Sequence, residues 1–131
     1  MSHYIFKGYY KNKTGYIEVK LLLIHFEDEN KIQFVYSPHL DLTGYGPDLY
    51  EARKSFEIVL EDFIDYTLKK KTIGKVLKDL GWDIKGTEKK PKKVLAPSIT
   101  TIIGNNKYVS EIFDKYPTNT FHEEVGIPAF A

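Results

Sequence analysis

The stretch "VYSPHLDLTGYGPDLYEARKSFEIVL", residues 35–60, decides the fold of this chain. It begins with β-prone residues, passes through Pro38 and two glycines, and then changes to apolar residues at helical spacing. Because proline has no backbone N–H for a β-ladder, Pro38 marks the end of a strand or an edge position. Residues 39–46 alternate between apolar and polar and predict a short third strand. The run Gly44-Tyr45-Gly46 predicts a chain reversal before a helix, since glycine favours tight turns and no Lys-Ser/Thr pair follows to make a phosphate loop.

A long amphipathic helix is predicted over residues 49–69. Asp48 stands three residues before Glu51, the spacing of a capping box in which each side chain accepts a backbone N–H of the first turn. The apolar stripe that follows recurs at helical spacing and comprises Ala52, Phe56, Val59, Leu60, Phe63, Ile64 and Leu68. The same spacing places the carboxylates of Glu57, Glu61 and Asp65 on the opposite side, where we expect them to face solvent.

The flanking segments predict a sheet and several short helices. Residues 16–26 read as a strand that is half-exposed at its start and covered on both faces at its end, and residues 31–37 return as its hairpin partner. Residues 4–10 are also β-prone. Downstream, Thr72 caps a short helix, residues 82–84 suggest a fourth strand, residues 99–103 and 108–116 suggest two more helices, and residues 120–128 suggest a last strand.

The predicted fold class is therefore α+β. We expect a three- to four-stranded, mostly antiparallel sheet with one long helix packed on one face, plus short C-terminal helices. The predicted organisation is an α+β domain over residues 1–84, a basic linker or loop over residues 85–97, and a small helical and strand extension over residues 98–131. A chain of 131 residues can bury enough surface for one such core without a disulfide or a structural metal.

Composition excludes several kinds of protein. The chain has no cysteine, which rules out disulfides, thiol nucleophiles and thiolate metal sites. Its 19 basic and 18 acidic side chains nearly balance. The surface as a whole therefore lacks the net positive charge that would attract nucleic acid. The sequence has no apolar run of the ~18 residues that a membrane helix needs and no secretory signal core, which predicts a cytoplasmic protein without membrane contact.

The junction resembles one known family, the HicB-like antitoxin N-terminal domain. That family shows a hairpin, a strand-ending proline, a leucine, a glycine just before the helix, a capping residue and a Glu-Ala pair in the first turn. The matching positions lie within residues 16–84 and are Pro38, Leu40, Gly46, Asp48, Glu51 and Ala52. The C-terminal part does not resemble the DNA-binding domain that many members carry.

The resemblance implies a function as well as a fold. It implies a degenerate ribonuclease-H-like α+β sheet that binds other molecules and does not catalyse a reaction. Its implied partners are a small toxin-like protein and a second copy of the chain, as in a homodimer, and it implies no cofactor. On this hypothesis the chain is an antitoxin-like or orphan regulatory protein of a toxin–antitoxin system. The contact loop would contain Pro38, Asp41 and Tyr45.

Two alternatives remain open from the residues themselves. The basic run of residues 85–93, in particular Lys89, Lys90, Lys92 and Lys93, could contact phosphates and make the chain a nucleic-acid-binding module. A metal-dependent nuclease would need carboxylates that converge on one pocket, and Asp41 is the first candidate for such a role. We expect no metal site, because no histidine has a metal-ligand spacing. His25 is expected to be a packed, hydrogen-bonded strand residue.

Overall fold

The computed structural model describes residues 16–86 and 91–128, so the strand predicted at residues 4–10 lies outside the described residues. The elements, in chain order, are β1 Tyr16–Glu27, β2 Gln33–Ser37, β3 Leu42–Gly46, α1 Leu49–Lys69, α2 Ile73–Asp79, β4 Asp83–Gly86, β5 Pro91–Leu95, α3 Ile99–Asn105, α4 Lys107–Lys115 and β6 Thr118–Pro128. The α+β class and the order of three strands followed by a long helix are confirmed.

Four strands form the main sheet in the order β3-β2-β1-β6, and every neighbouring pair is antiparallel. The β1–β6 pair is the longest, running from Tyr16 opposite Pro128 to Phe26 opposite Thr118. The last strand predicted from the sequence is therefore confirmed, and it adds the fourth strand of the sheet beside β1. The segment predicted as a C-terminal extension thus completes the sheet.

The helix α1 covers one face of this sheet. Its bounds match the prediction, and the Asp48 side chain accepts a 2.8 Å hydrogen bond from the backbone N–H of Glu51 as an N-cap. The residues that pack between helix and sheet form one apolar cluster, and its fully buried members include Leu21, Leu23, Val35, Ala52, Phe56, Leu60 and Ile64. Side chains alternate along a strand, so the odd-numbered residues of β1 build this core.

The even-numbered residues of β1 build a second core on the opposite face. Leu22, Ile24 and Phe26 are buried there beneath α3 and α4, which contribute Ile102, Val109 and Ile112. The two short helices predicted at the C-terminal end are confirmed, and they cover the sheet face that α1 leaves open. The expectation that β1 ends covered on both faces is also confirmed, because residues 21–24 are all buried.

One local expectation is wrong, and two others differ in part from the structure. Gly44 and Gly46 belong to β3 and do not reverse the chain; a Cβ at Gly44 would lie 2.2 Å from the backbone nitrogen of Phe56, so glycine serves close helix–strand packing there. The strand predicted near Asp83 is present, but it joins a separate two-stranded sheet with β5 and not the main sheet. That hairpin occupies much of the range predicted as a linker.

Candidate protein-contact site

The four-residue turn between β2 and β3, residues 38–41, is closed by Ser37. The Ser37 carbonyl accepts from the Asp41 N–H at 2.8 Å, and the Ser37 hydroxyl accepts from the Leu40 N–H at 3.3 Å. Asp41 has a φ of 56°, in the left-handed region that aspartate tolerates better than most residues. The turn therefore places Asp41 by backbone hydrogen bonds, and not at mid-strand as the sequence predicted.

His39 fixes this turn to three other parts of the molecule. Its Nδ1 atom accepts from the backbone N–H of Leu22 at 3.3 Å, so the ring proton lies on Nε2, which donates to the Pro97 carbonyl at 3.0 Å. The indole of Trp82 donates to the His39 carbonyl at 2.8 Å. Burial lowers the pKa of the His39 imidazole, and His122 lowers it further. The neutral ring is the form that this hydrogen-bond pattern requires.

The Asp41 carboxylate accepts a 2.8 Å hydrogen bond from the Tyr36 hydroxyl. That hydroxyl in turn accepts from the Asn106 side-chain amide at 3.0 Å, and the Tyr108 ring packs edge-on against the Tyr36 ring at a centroid distance of 4.9 Å. Burial raises the pKa of Tyr36 well above its usual value, and the hydrogen bond to Asp41 also raises it. Tyr36 therefore stays a proton donor and holds one oxygen of Asp41 in place.

A row of aromatic rings crosses the same face of the sheet. Tyr45 on β3 packs against Phe34 at a centroid distance of 6.0 Å, Phe34 stacks on Phe26 at 5.0 Å, and Phe26 stacks on Tyr116 at 5.1 Å. Phe34 and Tyr36 are two residues apart on β2 and thus share a face. Asp41, held by Tyr36, and Tyr45, held by Phe34, consequently lie on one side of the sheet near its β3 edge.

The three residues predicted as a contact loop have different positions. Pro38 is buried, whereas Asp41 is exposed and 64% of the Tyr45 side chain is exposed. Tyr45 lies on β3 and not in a loop. Pro38 and Asp41 border an open cleft of about 580 Å³ whose other walls include Gly81, Pro97 and Tyr108. We name the exposed surface of Asp41, Tyr45 and Tyr108 the turn face.

Sequence reasoning missed Tyr108 and Asn106 as parts of this site. Asn106 is the N-cap of α4, and its Oδ1 atom accepts from the backbone N–H groups of Tyr108 and Val109. An asparagine directly before an amphipathic run is a recognisable cap signal. The second role of Asn106, as a donor to Tyr36, joins residues 70 positions apart, and no local pattern could indicate it.

The carboxylates of α1 are less exposed than predicted. Glu57, Glu61 and Asp65 are half-buried and not fully solvated. Burial raises the pKa of Glu57, and the nearby Glu123 carboxylate raises it further. Among residues 16–86 and 91–128, no group of three or more histidine, aspartate or glutamate side chains is placed to hold a metal ion.

Glu123 is a buried charge that the sequence did not reveal. Only 4% of this β6 residue is exposed, and its carboxylate forms an ion pair with the Arg53 guanidinium of α1. The Arg53 guanidinium also lies 4.7 Å from the centroid of the Phe121 ring. This pair ties the edge strand β6 to the first half of α1.

The basic run contributes little that the structure can describe. Lys89 and Lys90 lie outside the described residues, and of Lys92 and Lys93 the structure describes only the backbone in β5. The nucleic-acid alternative therefore stays a prediction. His25 forms hydrogen bonds with Gln33 at 2.7 Å and with Asn119 at 3.4 Å, as expected for a packed strand histidine.

The chain matches no protein-family model, no curated protein and no solved structure at a significant level. The resemblance to HicB-like domains thus rests on the residues of the junction alone and stays a prediction. In the part of the chain that the structure describes, no helix is both long enough and apolar enough to cross a membrane.

Proposed function

We propose that this chain is a non-catalytic, HicB-like protein-binding module with an antitoxin-like or orphan regulatory role, and that it binds another protein through the turn face. One observation carries this proposal: Asp41, in the turn before β3, and Tyr45, near the far end of β3, are both exposed on one face of the sheet, and each is held by a partner behind it, Tyr36 or Phe34. A surface that is already ordered loses little conformational entropy when a partner binds.

The chemistry of the turn face suits a protein partner. Tyrosine is enriched at protein interfaces because its ring supplies apolar area while its hydroxyl can form a hydrogen bond. On the same surface, Asp41 offers the carboxylate oxygen that Tyr36 does not use, and an ionised carboxylate only accepts hydrogen bonds. A partner with an arginine or lysine next to an apolar patch, such as a small toxin-like protein, fits this arrangement.

The edge of the sheet is a weaker candidate for contact. The backbone N–H of Tyr45 donates to the Ser55 hydroxyl of α1 at 3.1 Å, although β3 is an edge strand. That bond occupies a group which an added strand would need. Binding by side chains of the turn face is therefore favoured over strand addition at β3.

The histidine of the turn is committed to structural contacts. His39 uses both ring nitrogens in hydrogen bonds to backbone groups. A general base needs a lone pair directed at the substrate, and the geometry of His39 directs neither nitrogen to solvent. These contacts support a binding role for the site over a hydrolytic one.

Affinity capture from native extract tests the proposal. The tagged chain is cross-linked to the proteins that it binds, and the capture is repeated with two variants, Tyr45→Ser and Asp41→Asn. Asparagine is used at position 41 because it also tolerates the left-handed backbone there. Loss of a contact that dominates an interface reduces recovery of the partner by roughly tenfold or more. The matched control is Phe113→Ser, on α4, which is 41% exposed but lies outside the turn face.

Two results would contradict the proposal. One is repeated failure of the folded chain to capture a stoichiometric protein. The other is a partner whose recovery does not change in either turn-face variant. A partner that is lost on nuclease treatment would instead favour the nucleic-acid alternative.

A further inference from the structure

The outer side of α1 carries an exposed row of side chains that the turn face does not use. Tyr50, Ile58 and Tyr66 are 68%, 56% and 63% exposed, and Lys54 and Asp62 stand between them. The five residues are each four positions apart and thus form one i±4 ridge of the helix. Ile58 lies at its centre, directly opposite the buried stripe of Phe56, Leu60 and Ile64. We name this row the α1 ridge.

The order of residues along the α1 ridge is self-complementary. Read forward it is Tyr, Lys, Ile, Asp, Tyr, and a second copy that runs antiparallel presents Tyr, Asp, Ile, Lys, Tyr. Around a two-fold axis at Ile58, the Lys54 ammonium of each copy then faces the Asp62 carboxylate of the other. Tyr50 of each copy lies at the same end of the contact as Tyr66 of the other. A two-fold dimer needs a surface of this kind, because the same patch serves both subunits.

Helix geometry brings the two ridges together. When the i±4 ridges of two helices run along each other, the helix axes cross at about 50°, because each ridge is inclined by about 26° to its own axis. At that angle Glu51 and Asp65, which lie off the α1 ridge on opposite sides, move apart, so two like charges do not meet. Each step of four residues also rotates the side-chain direction by ~40° around the helix. The surfaces of the two helices therefore separate toward the ends of the α1 ridge, where the long side chains of Tyr50 and Tyr66 stand.

The charges of the ridge are available for this pairing. In the described residues, neither Lys54 nor Asp62 forms a salt bridge within the chain. The Lys54 ammonium lies 5.6 Å from the centroid of the Tyr50 ring, which leaves its hydrogen-bond donors free. Lys54 and Asp62 are eight residues apart, or ~12 Å along the helix axis, so they cannot contact each other in one chain.

We propose that two copies of this chain associate through an antiparallel contact of their α1 ridges, with Ile58 at the centre and two Lys54–Asp62 pairs on either side. The proposal does not rest on the turn face, whose residues the dimer leaves free. One crossing of two helices is smaller than the ~1,200 Å² at which stable interfaces begin, so the dimer is expected to be weak and dependent on concentration.

Sedimentation equilibrium and light scattering from about 1 μM to about 1 mM chain measure this association. The mass is expected to rise from that of a monomer toward that of a dimer. Ile58→Glu places a charge at the centre of the contact and raises the dissociation constant roughly thirtyfold or more. The matched control is Ile103→Glu on α3, which is 43% exposed and is expected to dimerise like the original chain.

Charge reversal is the decisive experiment. Lys54→Glu alone and Asp62→Lys alone each set like charges against each other at two symmetric positions, and each raises the dissociation constant by ~3- to 10-fold. The double variant, Lys54→Glu with Asp62→Lys, restores opposite charges across the interface and returns the constant to near its original value. Since the two residues do not meet in one chain, only a contact between copies can produce this rescue.

Circular dichroism of each variant shows that α1 is folded, which separates loss of association from loss of structure. A monomeric mass at every concentration would overturn the proposal and leave the α1 ridge to a different partner. A dimer that tolerates Ile58→Glu, or charge reversals that the double variant does not rescue, would overturn it as well. None of these outcomes affects the capture experiment on Asp41 and Tyr45.

Discussion

The backbone N–H of Leu22 donates to the Nδ1 atom of His39, 3.3 Å away, at the place where β2 no longer accompanies β1. The β1–β2 pairing runs to Ile24 opposite Tyr36, and its continuation by two residues would set Leu22 opposite Pro38. Strand β2 has already turned away there. The His39 imidazole thus satisfies a buried backbone donor that the end of the strand would otherwise leave without a partner.

This contact predicts that the chain loses stability in mild acid. The pKa of His39 in the folded protein is lowered from 6.5 by burial, so the unfolded chain takes up a proton at a pH where the folded chain does not. The contribution of neutral His39 to the free energy of unfolding is complete above about pH 6.5 and declines as the pH falls below that value. Chemical unfolding at pH 8 and pH 5.5 measures the difference.

Replacement of His39 tests whether this histidine causes the pH dependence of stability. His39→Gln leaves the Leu22 donor or the Pro97 acceptor without a partner and lowers the free energy of unfolding at pH 8 by ~1–3 kcal/mol. The variant also loses part of the pH dependence. His122→Gln, at an exposed position, is expected to keep most of it. An unchanged pH dependence in His39→Gln would show that another group is responsible.

Two glycines are expected to respond in opposite directions to alanine. In Gly44→Ala the new Cβ would lie 2.2 Å from the nitrogen and 2.5 Å from the Cα of Phe56, so α1 must move off β3 at a cost of ~1–3 kcal/mol. A Cβ at Gly104 in α3 would meet no atom within 4 Å, and Gly104→Ala gains up to about 1 kcal/mol from helix propensity. Thermal unfolding of both variants tests the pair, and equal effects would contradict the close packing of β3 under α1.

The Arg53–Glu123 pair predicts non-additive mutations. Arg53→Met leaves the buried Glu123 carboxylate without its counter-charge and is expected to lower the free energy of unfolding by about 3 kcal/mol. Arg53→Met combined with Glu123→Leu removes both charges and recovers most of this loss. Urea unfolding of the single and double variants forms a double-mutant cycle, and simple additivity would show that the pair does not interact.

The first turn of α1 offers a test of helix capping. Asp48→Ala removes the hydrogen bond to the Glu51 N–H and is expected to lower the free energy of unfolding by ~1 kcal/mol. Thr72 occupies the N-cap position of α2 without a side-chain capping bond, so Thr72→Ala should cost clearly less. An equal loss in the two variants would mean that the Asp48 bond is not what stabilises the helix.

The sequence predicted those parts of the fold that depend on local pattern. The bounds of α1 followed from Asp48 and the apolar stripe, and the two-sided burial of β1 followed from its change from alternating to continuous apolar residues. The function of Gly44 was misread because a turn and a close helix–strand contact both require glycine. Only the position of Phe56 in space distinguishes the two.

The site was less predictable because its contacts join distant residues. Asp41 and Tyr45 were named from the sequence, but the residues that hold them, Tyr36 and Phe34, become relevant only once β2 and β3 are paired in register. The Arg53–Glu123 pair connects residues 70 positions apart. A charged residue in an edge strand looks exposed in a sequence, and only the three-dimensional structure shows that Glu123 is buried and paired with Arg53 of α1.

The pairing of β1 with β6 has a consequence for synthesis on the ribosome. The residues of this pair are separated by up to 112 positions, as in Tyr16 and Pro128, and contacts so remote in sequence slow folding because a long loop must close first. Until residues 118–128 have left the exit tunnel, the nascent chain has no neighbour for one side of its most apolar strand. We expect the sheet to complete only once residues 118–128 have emerged, with residues 21–24 as the segment that a chaperone would meet before then.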